Sequence, residues 1–224
     1  MAMHSKFFVL RWLAVIGAVL LMASAAQAQQ KPEQLIRDSI NQLMGQIEGR
    51  KDYFVANPDE LKALIDKNLE QIADFRYIGA SVMGRYFRNA SPEQRSRFVD
   101  TFRQTLIDTY ARGLVTFNYR ELRVLDGTGG RYEDQASVDM EVVAEDGQVY
   151  PVSYTLRQDD GQWKVVNVIV NGINLGLTFR NQFDQAMRNN NRNYDKVIDE
   201  WAPEVATEEL EKGGTASSGQ EAAQ

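Results

Sequence analysis

Residues 137–170, SVDMEVVAEDGQVYPVSYTLRQDDGQWKVVNVIV, decide the fold. Val138, Met140, Val142 and Ala144 alternate with Ser137, Asp139 and Glu141 until Asp146-Gly147 turns the chain. Tyr150, Val152, Tyr154 and Leu156 then hold one face up to Asp159-Asp160-Gly161. A period of two sends successive side chains to opposite faces of a sheet, so these segments read as antiparallel strands with one covered and one wet side. Residues 163–170 follow as an almost continuous apolar strand. Upstream, Leu122 and Val124 alternate with Arg and Glu before the turn Gly127-Thr128-Gly129-Gly130, giving a sheet of about four strands. Pro151 has no amide donor, which predicts an edge strand or a bulge there.

Outside this sheet the period becomes helical. Leu35, Ile36, Ile40, Leu43, Met44 and Ile47 follow a first-turn Pro32, and residues 49–55 read as a polar connection. Asn57-Pro58-Asp59-Glu60 predicts a capped start for the stripe Leu61, Leu64, Ile65, Leu69 and Ile72. A third helix runs through Phe75, Ile78, Val82, Met83, Tyr86 and Phe87. Ser91-Pro92-Glu93-Gln94 opens the longest one, with Phe98, Phe102, Leu106, Tyr110, Leu114 and Phe117 on one face. After the sheet, Ile173, Leu175, Leu177 and Phe179 prolong the alternation, and helical spacing resumes from Phe183 to Trp201 with an Asn-rich interruption at 189–193. Four helices, an antiparallel sheet and a terminal helix make an α+β domain over residues 29–204.

The two ends of the chain read differently. Residues 1–28 have Lys6 and Arg11, an apolar run over 12–22 and a small-residue end at Ala26-Gln27-Ala28, the pattern of a cleaved secretory signal. The run is well short of the roughly 20 residues that span a bilayer. Residues 205–224 are rich in Glu, Gly, Ser, Ala and Gln with little to bury, which predicts a disordered tail. Loss of the signal removes two basic groups from 25 and leaves 31 acidic ones, so the formal net charge moves from −6 to −8. It also removes the single histidine, and there is no cysteine. These absences exclude a cysteine nucleophile, a Ser-His-Asp triad, thiolate or imidazole metal sites and a disulfide framework. The acidic balance argues against nucleic acid and anionic membrane surfaces. No cofactor is expected.

The remaining residues offer little catalysis. The carboxylate pairs Asp59-Glu60, Asp159-Asp160 and Asp199-Glu200 sit at caps, turns or solvated helix faces. Gly127-Thr128-Gly129-Gly130 follows a strand but opens no helix, so it is no phosphate loop. Arg76, Arg85, Arg88 and Arg180 adjoin apolar patches and either snorkel over them or pair a phosphate. The large rings, among them Phe75, Phe87, Phe98, Phe102, Tyr154 and Phe183, are numerous for one helix-on-sheet core. They either fill it or frame an apolar cavity, and spacing does not separate the two.

The combination of a secretory signal, a helical half and GQWKVVNVIVNGINLGLTFRNQF at 161–183 resembles the MlaC family of soluble periplasmic phospholipid carriers, the toluene-tolerance proteins. DFRYIGASVMGRYFRNASPEQRSRFVDTFRQTLIDTYARGL at 74–114 is similar to the same family. The resemblance covers roughly residues 31–201. It implies an NTF2-like cone with added helices, in which a strongly curved sheet and the helices enclose a deep pocket for acyl chains with the headgroup near the mouth. It also implies exchange of phospholipid between an outer-membrane Mla lipoprotein-porin complex and an inner-membrane Mla ABC-transporter complex, which maintains outer-membrane lipid asymmetry.

Helical stripe and covered strand faces together predict a pocket lined by Val82, Phe102, Leu106 and Tyr110 from the helices. The sheet and its exit would add Val142, Val152, Tyr154, Val168, Val170, Ile173 and Leu175, with Arg85 and Arg180 as weak headgroup contacts. The expected protein is a monomeric, noncatalytic carrier. Two other readings stay open on the residues alone, an NTF2-like enzyme on an apolar substrate and a periplasmic adaptor with an apolar docking face.

Overall fold

The computed structural model describes residues 30–125, the backbone of 128–129, and residues 132–202. The expected signal, most of the first hairpin turn and the tail lie outside the described residues.

Helices α1 (Pro32–Ile47), α2 (Lys51–Ala56), α3 (Pro58–Ile72) and α4 (Phe75–Met83) lead into a 3₁₀ segment, Gly84–Asn89. Helix α5 (Pro92–Tyr110) begins with the expected capping box, in which Ser91 Oγ accepts from Gln94 N and Gln94 Oε1 accepts from Ser91 N. The stripe continues past Tyr110, but the helix stops there, and a single turn, α6 (Gly113–Thr116), leads to the sheet. At α3 the expected cap is not formed as a box. The Asn57 amide donates to Tyr53 O, and Glu60 accepts from the Tyr53 hydroxyl at 2.7 Å. Residues 51–56, expected as a connection, form α2. This short helix turns only Phe54 inward and leaves Tyr53 and Val55 exposed, so it has no stripe to read.

The strands are β1 (Tyr119–Val124), β2 (Thr128–Gly129), β3 (Gln135–Ala144), β4 (Val149–Asp159), β5 (Gln162–Val170) and β6 (Ile173–Asn174). All pair antiparallel in the order β1-β3-β4-β5-β6, with β2 on β3, so the four expected strands carry two short additions. The sheet is not strongly curled, a correction to the cone that the resemblance implies. β4 is central and not an edge, and its register shift is at Thr155/Leu156. Pro151 is tolerated because its carbonyl points beyond the end of β5 and accepts from Asn171 N at 2.7 Å. Its missing N–H faces the same way, so the bond it forgoes lies past the last residue of β5 and the β3–β4 ladder is untouched. Helix α7 (Leu175–Asn189) starts directly after β6, capped by Asn174 Oδ1 on Leu177 N. The alternation expected through Phe179 is therefore already helical. The Asn-rich turn breaks the helix as expected, before α8 (Tyr194–Asp199).

Three clusters hold the layers together. Phe98, Phe102, Phe179, Phe183 and Trp201 join α4, α5, α7 and α8, with Phe98–Phe183 ring centroids 4.8 Å apart. Ile47, Phe54, Leu61, Ile65, Ile107 and Val115 join the N-terminal helices to α5 and α6. Ile36 lays α1 on the sheet against Val138, Leu156 and Val165. One buried polar pair fixes α1 to α3: Ser39 Oγ donates to Asn68 Oδ1 at 3.0 Å, and Asn68 Nδ2 donates to Ser39 O at 3.2 Å. Asn68→Ala should cost about 1–3 kcal/mol in a denaturant titration, because it strands the Ser39 hydroxyl and carbonyl among apolar neighbours.

Candidate functional site

The register of the sheet settles which side chains share a face. Val142 stands beside Tyr150, Val152 opposite both Met140 and Val170, Tyr154 opposite both Val138 and Val168, and Val170 opposite Ile173. All six sheet positions expected to line a pocket therefore lie on one side. The charged and hydroxylic residues Asp139, Glu141, Ser153 and Thr155 point to the other side.

Along the apolar face, closure is uneven. At one end α1 covers it, and Val138 and Leu156 are 0% exposed with Val165 at 5%. Toward the other end Val142, Val168, Val170 and Ile173 are only half-buried, while Val152 is buried. Leu106 and Tyr110 from α5, and Leu175 at the start of α7, are half-buried beside Ile173 at the edge of the ring cluster. Val82 and Phe102 belong to that cluster itself at 1% exposure each, as closed core.

Tyr154 shows what kind of surface this is. Burial pushes its phenol up to about 12, yet the ring keeps accessible area, and its hydroxyl reaches only Met140 Sδ at 4.0 Å. Its hydroxyl is thus shielded from water while the residue as a whole stays half-buried. One end of the face is thus closed core and the rest is half-buried, which the alternation of apolar residues does not distinguish.

Arg85 and Arg180 lie elsewhere. They line two adjoining hollows of about 340 and 290 Å³ between α4, the 3₁₀ segment and α7, which share Leu177 and Arg180. The sheet contributes Thr155 and Asn167 to the second hollow. These alternate with Tyr154 and Val168 and so belong to the sheet's other face, and Val82 alone of the eleven expected lining residues reaches either hollow. In the cleft Asp184 accepts from Arg85 Nε at 3.0 Å and from the Tyr86 hydroxyl at 3.0 Å, and it pairs with Arg188 at 2.5 Å. The Arg85 hydrogen bond, foremost, holds the Asp184 carboxyl below its usual range.

Sequence reasoning missed three residues that shape this region. Gly84 has φ +53°, and a Cβ there would meet Arg180 Nε at 2.9 Å. Asn167 Oδ1 accepts from Gly176 N and leaves no room for a Cβ on Gly176. Gly79 lies against Val99, which lets α4 approach α5 closely. A glycine inside a helical pattern was the available signal for the last.

The family profile described as MlaC protein matches residues 37–203. The chain belongs to the MlaC family. Within the curated relatives it is 38% identical over 195 residues to the toluene tolerance protein Ttg2D of Pseudomonas putida, covering 87% of this chain and 89% of that one. It is 21% identical over 172 residues to the intermembrane phospholipid transport system binding protein MlaC of Haemophilus influenzae, covering 74% and 80%. A solved phospholipid-binding protein from Ralstonia solanacearum, in complex with a phospholipid, shares the fold at TM-score 0.69 and 22% identity over 76% of this chain and 94% of that one. The part of the chain matched to MlaC holds every residue of the apolar face and of the arginine cleft. Among the described residues no helix is long and apolar enough to cross a membrane, and no group of acidic side chains is placed to hold a metal.

Proposed function

We propose that this MlaC-family chain is a noncatalytic phospholipid carrier of the periplasm. In this reading it takes lipid from one membrane's Mla complex and yields it to the other's, with the outer-membrane lipoprotein-porin assembly and the inner-membrane ABC transporter as its partners. The acyl chains lie against Val142, Val152, Tyr154, Val168, Val170 and Ile173, with Leu106, Tyr110 and Leu175 closing the space from the helices. Val82 and Phe102 support that wall from the core behind it. The observation that supports the reading best is the half-buried apolar face shared by Val142, Tyr154, Val168, Val170 and Ile173. Each methylene moved from water to such a surface is worth about 0.8 kcal/mol, so two acyl chains are held by tail burial alone. The names of the Haemophilus and Ralstonia relatives, both phospholipid binders, agree with it.

In this reading Arg85 and Arg180 stand apart from the acyl chains, since their hollows share only Val82 with the residues expected to line the pocket. The double variant Arg85→Gln/Arg180→Gln should therefore keep its bound lipid through purification, with phosphatidylglycerol and phosphatidylethanolamine in unchanged proportion. Lipid loss on either single change would restore the arginines as headgroup ligands. Native mass spectrometry of gently purified protein tests the function itself. Copurified phospholipid is expected, whereas an empty protein that turns over an apolar substrate, or one that binds only a protein partner, would replace this reading.

A further inference from the structure

The arginine cleft is left without a role by the lipid site, and its surface is unusual for an acidic protein. Arg85 and Arg188 share the single carboxylate of Asp184, so the cleft has an excess of cationic groups. Arg180 forms no ion pair among the described residues and extends over Gly84, in the space between the two hollows. Leu177 beside it is 54% exposed, and Tyr77 across the second hollow is 39% exposed. Cationic and apolar groups therefore alternate along one groove between α4 and α7, which suits a short segment that alternates carboxylates with aliphatic side chains.

The chain contains such a segment. Residues 203–211, PEVATEELE, place Leu210 between Glu209 and Glu211, and Val205 after Glu204. All but the first residue of this stretch lie beyond the part matched to the MlaC family. Its starting point is close by. The Trp201 ring packs on Phe183 with centroids 5.4 Å apart, and Phe183 is about one helical turn from Arg180 on α7. Nine residues from Trp201 to Leu210 reach at most roughly 30 Å, enough to pass around a helix about 10–12 Å across. Tethering also sets a local concentration in the millimolar range, so a weak motif suffices.

We propose that the acidic tail segment 204–211 docks back onto its own α4–α7 cleft, with Glu208, Glu209 and Glu211 on Arg180, Arg85 and Arg188 and Leu210 against Leu177 and Tyr77. The occupied cleft is then masked from any other acidic partner. Because the chain has no cysteine, Thr207→Cys gives one attachment point for a nitroxide on the protein with residues 203–224 retained. Selective loss of amide NMR signal at Gly84–Tyr86 and Leu177–Asp184, abolished by raised salt, is the expected result. Glu208→Gln/Glu209→Gln/Glu211→Gln should abolish it too, in a variant that leaves the folded domain untouched, as should Arg180→Glu if that variant keeps its dispersed spectrum. Three results would overturn the proposal: no selective loss, loss that survives the tail substitutions or raised salt, or loss that appears only when the nitroxide is on a second, isotopically unlabelled copy.

Discussion

Phe183→Ala should lower the unfolding free energy by about 3–5 kcal/mol, a large share of the roughly 5–15 kcal/mol available to a domain of this kind. Phe183 is 0% exposed and meets Phe98, Trp201 and Tyr86 with ring centroids 4.8, 5.4 and 6.0 Å away. These neighbours come from α5, from the end of α8 and from the 3₁₀ segment, so the cavity left by truncation adjoins several independent elements and cannot collapse by one local shift. Denaturant titration reads the loss directly. A change below about 1 kcal/mol would mean that the helical layer does not depend on this ring cluster.

Val170→Glu should give a folded protein that no longer retains lipid. Val170 is half-buried near the end of β5, pairs with Val152 and Ile173, and has no cationic group on its sheet face to receive a carboxylate. In the free protein the half-buried position leaves the Glu side chain within reach of water. With acyl chains present it is stripped of that water, at a cost of several kcal/mol against the ligand, or a loss of affinity on the order of a hundredfold or more. The measurement is copurified phospholipid per folded protein, with circular dichroism to confirm the fold. Undiminished lipid would remove Val170 from the wall.

The contrast between these two variants follows a division that the sequence only half reveals. Alternation in residues 137–170 identifies the strands and the shared face, because a pleated strand leaves side chains no third direction. The ring stripe of α5 is legible for the same geometric reason. What alternation cannot report is how completely a face is covered. Leu156 and Val168 look alike in sequence, yet one lies under α1 at 0% exposure and the other is only half-buried at the rim of the same cluster. Coverage depends on where α1 crosses the sheet, which is a tertiary fact. Arg85 and Arg180 illustrate the same gap, since both adjoin apolar residues in sequence but line hollows between the 3₁₀ segment, α4 and α7 that Tyr154 does not reach. Short elements escape for a simpler reason. α2 buries only Phe54, and the first turn of α7 has Leu175 and Leu177 at a spacing that also fits a strand.

The central claim, that acyl chains lie on the face shared by Tyr154, Val168 and Val170, is tested most directly by loading the unmodified protein with phosphatidylethanolamine bearing a diazirine midway along one chain. Illumination and peptide mapping then locate the carbene insertions. The account predicts adducts on Val142, Val152, Tyr154, Val168, Val170 or Ile173, with none on their alternating neighbours Thr155 and Asn167. Adducts concentrated on Thr155, Asn167 or Leu177 would contradict it and place the lipid in the arginine cleft.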